Sequence, residues 1–129
     1  MKKVVLLLRV STNSQDYEYQ RSTLTDLCKH NGWQIVNTFE NKVSGAKKNE
    51  EREEIVELLG YIKNNEVDMV MATEVSRVGR NTLEALKTIE ILNENKVNLY
   101  FANYNIETLL PDKSVNPIAR LILTICLEI

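Results

Sequence analysis

Val4-Val5-Leu6-Leu7-Leu8-Arg9-Val10-Ser11-Thr12-Asn13-Ser14 is the stretch that decides the fold. Its first five residues are an unbroken apolar run, far too short for a membrane span or a signal h-region. A strand apolar at every position is buried on both faces, the condition of a parallel sheet lying between helical layers. Residues 11–14 (Ser-Thr-Asn-Ser) then supply helix-capping side chains. A buried strand passing into a capped helix opens a β-α-β unit.

The same alternation continues outward. The spacing predicts a first helix running to about Asn31, with Leu24, Leu27 and Cys28 on its inner face and Gly32 at its C′ position. Residues 33–39 read as a second strand, and residues 41–49 as a loop. A second helix begins near Glu50, with Ile55, Leu58, Leu59 and Ile62 at helical spacing. Residues 67–72 and 97–102 read as strands three and four, separated by a helix that Asn81 caps. The order β-α-β-α-β-α-β implies an α/β three-layer sandwich with a mainly parallel sheet of four to five strands. Sites in such sheets form at the carboxyl ends of strands. Arg9 and Ser11 end strand one, while Ser76, Arg77 and Arg80 follow strand three, so both clusters are expected at one edge.

Asn116-Pro117 then caps a last helix that is apolar on nearly every side, from Ile118 to Ile129. Such a helix needs cover on several faces, and a subunit interface is the expected second surface. The pattern runs to Ile129 without a cap, so the helix is expected to continue in a longer protein.

Composition narrows the rest. At 129 residues the chain has the usual size of one domain. Sixteen Lys+Arg against eighteen Asp+Glu give a net charge of -2, so any DNA contact must come from a local arginine cluster. Cys28 and Cys126 make neither a zinc pattern nor a disulfide framework and are expected to be thiols in a reducing cytoplasm. His30, the single histidine, falls near the far end of the first helix and reads as a surface residue. No Ser-His-Asp triad can be assembled around it.

Arg9 and Ser11 are two apart, which puts both side chains on the same side of a strand end. Arg77 and Arg80 are three apart and share a face of a helical turn. Alone, the first pair is a strand end with a helix cap, and the second a solvated helix face. Meeting at adjacent strand ends, they fit a hydroxyl attacking a phosphodiester. Arginine supplies permanent charge and forked donors for the phosphate oxygens, and losing one such preorganised donor costs roughly 10²–10³ in rate.

In order and spacing, Arg9-Val10-Ser11-Thr12, Gln15, Gln20, Ser44-Gly45, Arg52 and Ser76-Arg77-Val78-Gly79-Arg80-Asn81 closely resemble the catalytic domain of the serine recombinases, the resolvases and invertases. The resemblance spans nearly the whole chain. It implies site-specific DNA recombination without metal or nucleotide: a serine attacks the backbone, a 5′-phosphoserine linkage forms, and strands exchange within a tetramer of two dimers. Carried over residue by residue, it makes Ser11 the nucleophile and Arg9, Arg52, Arg77 and Arg80 the active-site arginines. Gln15, Gln20, Ser44, Ser76 and Asn81 become polar residues lining the substrate site. It also implies double-stranded DNA as partner, a cytoplasmic setting, and a separate C-terminal DNA-binding domain that these 129 residues do not include.

The chain departs from the family's pattern in places. An aspartate commonly precedes the first downstream arginine, where this chain has Ser76. A tyrosine common just before the leading arginine is replaced in the Leu7-Leu8 stretch, and a Glu-Arg pair of the last helix would fall beyond Glu128-Ile129. Two other readings stand beside the enzyme: a resolvase-like regulatory or dimerisation domain with impaired catalysis, and a flavodoxin-like phosphate-binding module. Against the latter, the first loop lacks glycine and no Lys-Ser/Thr phosphate motif occurs.

Overall fold

The computed structural model describes residues 1–9, 14–41, 53–74, 77–79 and 82–128. Among these, β1 (Lys3–Arg9), β2 (Gln34–Asn41), β3 (Met69–Ala72), β4 (Asn98–Phe101) and β5 (Ile106–Glu107) form one sheet in the order β2-β1-β3-β4-β5. β1 pairs in parallel with β2 and β3, and β3 with β4, while β5 turns back antiparallel on β4. Four helices accompany it: α1 (Ser14–Asn31), α2 (Glu53–Asn64), α3 (Thr82–Glu94) and α4 (Pro117–Glu128).

The apolar run of β1 divides between two cores, as period two requires. Val5 and Leu7 join Ile55, Leu58, Ile89 and Leu92 from α2 and α3. Val4, Leu6 and Leu8 join Leu24 and Cys28 from α1. Each of these β1 side chains is at most 2% exposed, so neither face could accept a polar residue cheaply. α1 stops as its sequence indicates: Gly32 takes φ 70, and Trp33 N–H reaches back to the Cys28 carbonyl at 2.9 Å, a Schellman closure. α3 ends with the same closure, Val97 N–H to the Leu92 carbonyl at 2.9 Å, but with Lys96 in the left-handed position at φ 61.

Strand limits differ from the sequence-based expectation by one or two residues. β3 begins at Met69 rather than at residue 67; Asp68 just before it still bonds both neighbouring strands, its N–H to the Lys3 carbonyl at 2.9 Å and its carbonyl to Asn98 N–H at 3.0 Å, while its carboxylate accepts the Lys3 N–H at 2.7 Å. β5 is two residues long, too short to produce a periodic signal.

A polar knot joins β4, β5 and α4. The Thr108 hydroxyl accepts from Leu99 N–H at 3.0 Å and bonds Asn93 Oδ1 at 3.1 Å. Asn98 donates to Glu107 at 2.8 Å and accepts from Leu109 N–H at 3.0 Å. Asn116 donates to the Glu107 carbonyl at 3.0 Å while its Oδ1 caps α4 at Ile118 and Ala119 N–H. α4 buries Ala119 and Leu123 and leaves Ile118, Leu121 and Ile125 at 68%, 62% and 53% exposure, an apolar stripe at i, i+3, i+7.

Candidate active site

Chain direction from β1 leads to β2 on one side, while β3 and β4 lie on the other. The order therefore reverses between β1 and β3, and the crevice beyond their carboxyl ends is where such sheets bind ligands. Arg9 closes β1 at that crevice, and Thr73, Glu74 and Arg77 follow β3 into it. In the parallel register Leu6 faces Met71, so Arg9 and Glu74 each lie three residues past a paired position.

Gln20 ties the end of β1 to α1. Its Oε1 accepts the Arg9 N–H at 3.0 Å and its Nε2 donates to the Arg9 carbonyl at 2.9 Å and to Asp16 Oδ2 at 3.1 Å. The amide thus stands in for a neighbouring strand where the ladder ends. Because one contact is a backbone N–H, the oxygen and nitrogen cannot be exchanged. At 1% exposure, Gln20 acts on the Arg9 backbone from inside the protein. Nearby, Tyr17 donates to Glu40 at 2.9 Å, and burial together with that bond pushes the phenol's pKa up.

Arg77 is drawn inward. Its side chain is 7% exposed, its Nη2 meets Glu74 Oε1 at 3.1 Å, and its Nε is buried with no partner among the described residues. Arg77 N–H also bonds the Glu74 carbonyl at 3.1 Å, so backbone and side chain close the same turn. Gly79 continues this segment against the first turns of α3. A Cβ there would sit 2.4 Å from Ala85 N, so only glycine permits the approach. A cavity of about 170 Å³ lies between α1 and the strand ends, lined by Asp16, Gln20, Thr73, Glu74 and Asn103 among others. The Thr73 hydroxyl is buried there without a partner among the described residues.

Of the residues singled out from sequence, Arg9, Gln20 and Arg77 are found at this one edge. Gln15 is exposed on the first turn of α1. Ser11, Ser44, Arg52, Ser76, Arg80 and Asn81 lie outside the described residues. Glu74 and Asp16 were not singled out. The i, i+3 spacing of Glu74 to Arg77 and the i, i+4 spacing of Asp16 to Gln20 were the available signals. Cys28 is buried with its Sγ 3.5 Å from Met71 Sδ, and burial raises its pKa. His30 is exposed. Among the described residues no cluster of three His, Cys, Asp or Glu could hold a metal ion, and no helix is long and apolar enough to cross a membrane.

A switch-point crevice beside Arg9 and Arg77 on a 2-1-3-4-5 sheet defines an α/β domain with its site at the β1/β3 strand ends. The family is given by comparison with known proteins: the family model described as the resolvase N-terminal domain matches residues 4–129, and the chain belongs to that family. The N-terminal catalytic domain of TP901-1 integrase is similar at 29% identity and a TM-score of 0.78, over 96% of this chain and 90% of that one. A serine recombinase from Sulfolobus solfataricus is 27% identical with a TM-score of 0.61, over 80% of this chain and 69% of that one. A resolvase family site-specific recombinase from Streptococcus pneumoniae, 24% identical with a TM-score of 0.74 over 99% of this chain and 87% of that one, shares the fold. The protein is thus a serine recombinase catalytic domain in fold and family, with the mostly parallel α/β sheet expected from its sequence.

Proposed function

We propose that this domain cuts and rejoins double-stranded DNA through Ser11. The Ser11 oxygen bonds to phosphorus, the bond to the 3′ oxygen breaks, and that oxygen leaves as a hydroxyl after taking a proton. A 5′-phosphoserine remains, and reversal by a 3′-hydroxyl from an exchanged strand rejoins the backbone. Arg9, Arg52, Arg77 and Arg80 supply positive charge for the phosphate as it becomes pentavalent, with Gln15, Ser44, Ser76 and Asn81 as further polar contacts. Gln20 works through Arg9, holding the strand end from which the nucleophile's segment departs. Arg9 and the Arg77 turn flanking the β1/β3 switch point is the observation that carries this reading.

The exposed stripe Ile118, Leu121 and Ile125 supports homodimerisation through α4, with two dimers joining as a tetramer when DNA ends are brought together. Cytoplasmic action and a separate DNA-reading domain complete the proposal. The test is to trap the covalent species: incubate full-length protein with duplex DNA from candidate element ends, denature, and map the adduct by mass spectrometry. A Ser11-linked adduct, lost in Ser11→Ala and indifferent to EDTA, is expected. An adduct on another residue, or dependence on a divalent ion, refutes it.

A further inference from the structure

We infer that Glu74 is the positioning residue for Arg77 in the cleavage step, an inference that rests on the recombinase reading above. A guanidinium is seldom buried without a carboxylate, and Glu74 is the acidic partner at 3.1 Å. The carboxylate engages Nη2 only through Oε1, while Nε stays without a partner among the described residues. The donors of Arg77 are therefore not used up by the pair. Glu74 holds the planar group by one corner, at Nη2.

Geometry argues for orientation rather than simple neutralisation. The Arg77 N–H to Glu74 carbonyl bond fixes the turn that carries both side chains, so the carboxylate reaches its arginine from a backbone locked three residues upstream. Gly79 packs that turn onto α3 with no room for a Cβ, which anchors its other end. Glu74 itself is half exposed at the crevice and lines the cavity shared with Asp16, Gln20 and Thr73. Its negative charge opposes approach of a phosphate, so a carboxylate at this edge needs a compensating role. Fixing Arg77 is the role that its 3.1 Å contact with Nη2 supplies.

Two opposite outcomes follow from removing it. If Glu74 orients Arg77, Glu74→Ala slows Ser11 adduct formation about 100-fold at saturating DNA, on the scale of losing one preorganised donor. DNA affinity is unchanged or tighter, because a negative charge has left the DNA-facing edge. Glu74→Gln, which keeps an oxygen acceptor for Nη2, recovers about tenfold of the lost rate. If Glu74 only repels DNA or sequesters Arg77, both variants cleave as fast as the parent or faster, and the inference is wrong. A second readout is independent of cleavage. Solvent exchange of the Arg77 Nε–H, followed by NMR in the isotope-labelled full-length protein, accelerates at least tenfold in Glu74→Ala, and an unchanged rate overturns the inference. Wild-type protein that forms no adduct removes the recombinase reading and this inference together. Wild-type cleavage with undisturbed Glu74 variants removes this inference alone.

Discussion

Gln20→Glu exchanges one NH₂ for one oxygen at a side chain that is 1% exposed, and its consequences can be worked from three distances. The Oε1 contact to Arg9 N–H at 3.0 Å survives. The Nε2 contacts, 2.9 Å to the Arg9 carbonyl and 3.1 Å to Asp16 Oδ2, become oxygen facing oxygen. If the new group is ionised, two carboxylates at that separation repel by about 5 kcal/mol at an effective dielectric of about 20. Protonating it instead, from an unfolded pKa of about 4.3, costs about 4 kcal/mol at pH 7. The native state takes the cheaper course and holds a proton the unfolded state lacks. A neutral acid has one donor hydrogen where the amide had two, so about 1 kcal/mol more is lost. The variant should be less stable than wild type by about 4–5 kcal/mol at pH 7 and by about 2 kcal/mol at pH 5.

The sign follows from the raised pKa of the new carboxyl in the folded protein. Its proton is present in both states below about pH 4.3, and the penalty grows by about 1.4 kcal/mol per pH unit above that. Guanidinium unfolding of variant and wild type at pH 5, 6 and 7 reads the difference directly. A gap that stays constant with pH, or that is below about 1 kcal/mol at pH 7, would refute the clamp as drawn.

Gly79→Ala should cost about 2 kcal/mol or more, because the new Cβ meets backbone atoms of Ala85 at 2.4 and 2.7 Å that cannot turn aside; thermal unfolding measures it. Lys96→Gly should raise stability by about 1 kcal/mol by relieving a left-handed residue at φ 61, seen as a higher denaturation midpoint with an unchanged slope. Asn116→Ala removes the α4 cap and the bond to Glu107, and should lower stability by about 1–2 kcal/mol by the same denaturation assay. Leu121→Asp, at a position 62% exposed, should leave the monomer's unfolding within about 0.5 kcal/mol while reducing self-association in sedimentation velocity.

The sheet was readable because its strongest signals are physical necessities. An unbroken apolar run at residues 4–8 has no place except between two layers, and Gly32 at the end of an amphipathic helix has little use except a left-handed cap. Alternation of strands and helices then brought Arg9 and the Arg77 turn to one edge before any distance was known. The fate of individual polar side chains was less visible. Gln20 read as a residue lining the substrate site; its capture of the Arg9 backbone depends on a match between an amide and a strand end that no periodicity encodes. Arg77 read as a solvated arginine or a phosphate ligand, and its burial depends on how tightly the turn closes onto Glu74 and α3. β5 and the knot around Thr108 escaped notice because two residues make no pattern and because Asn and Thr are ordinary loop residues.

That knot gives α4 the mechanics of a lever. The helix is fastened at its first turn through Asn116 to β5, and beyond it one flank rests on the core through Ala119 and Leu123. From Pro117 to Glu128 the helix extends about 18 Å. A tilt of about 10° at the fastening moves Glu128 by about 3 Å, roughly the difference between a packed contact and an open gap. Small rearrangements among Asn93, Asn98, Thr108 and Asn116 would therefore be magnified along α4 toward Glu128.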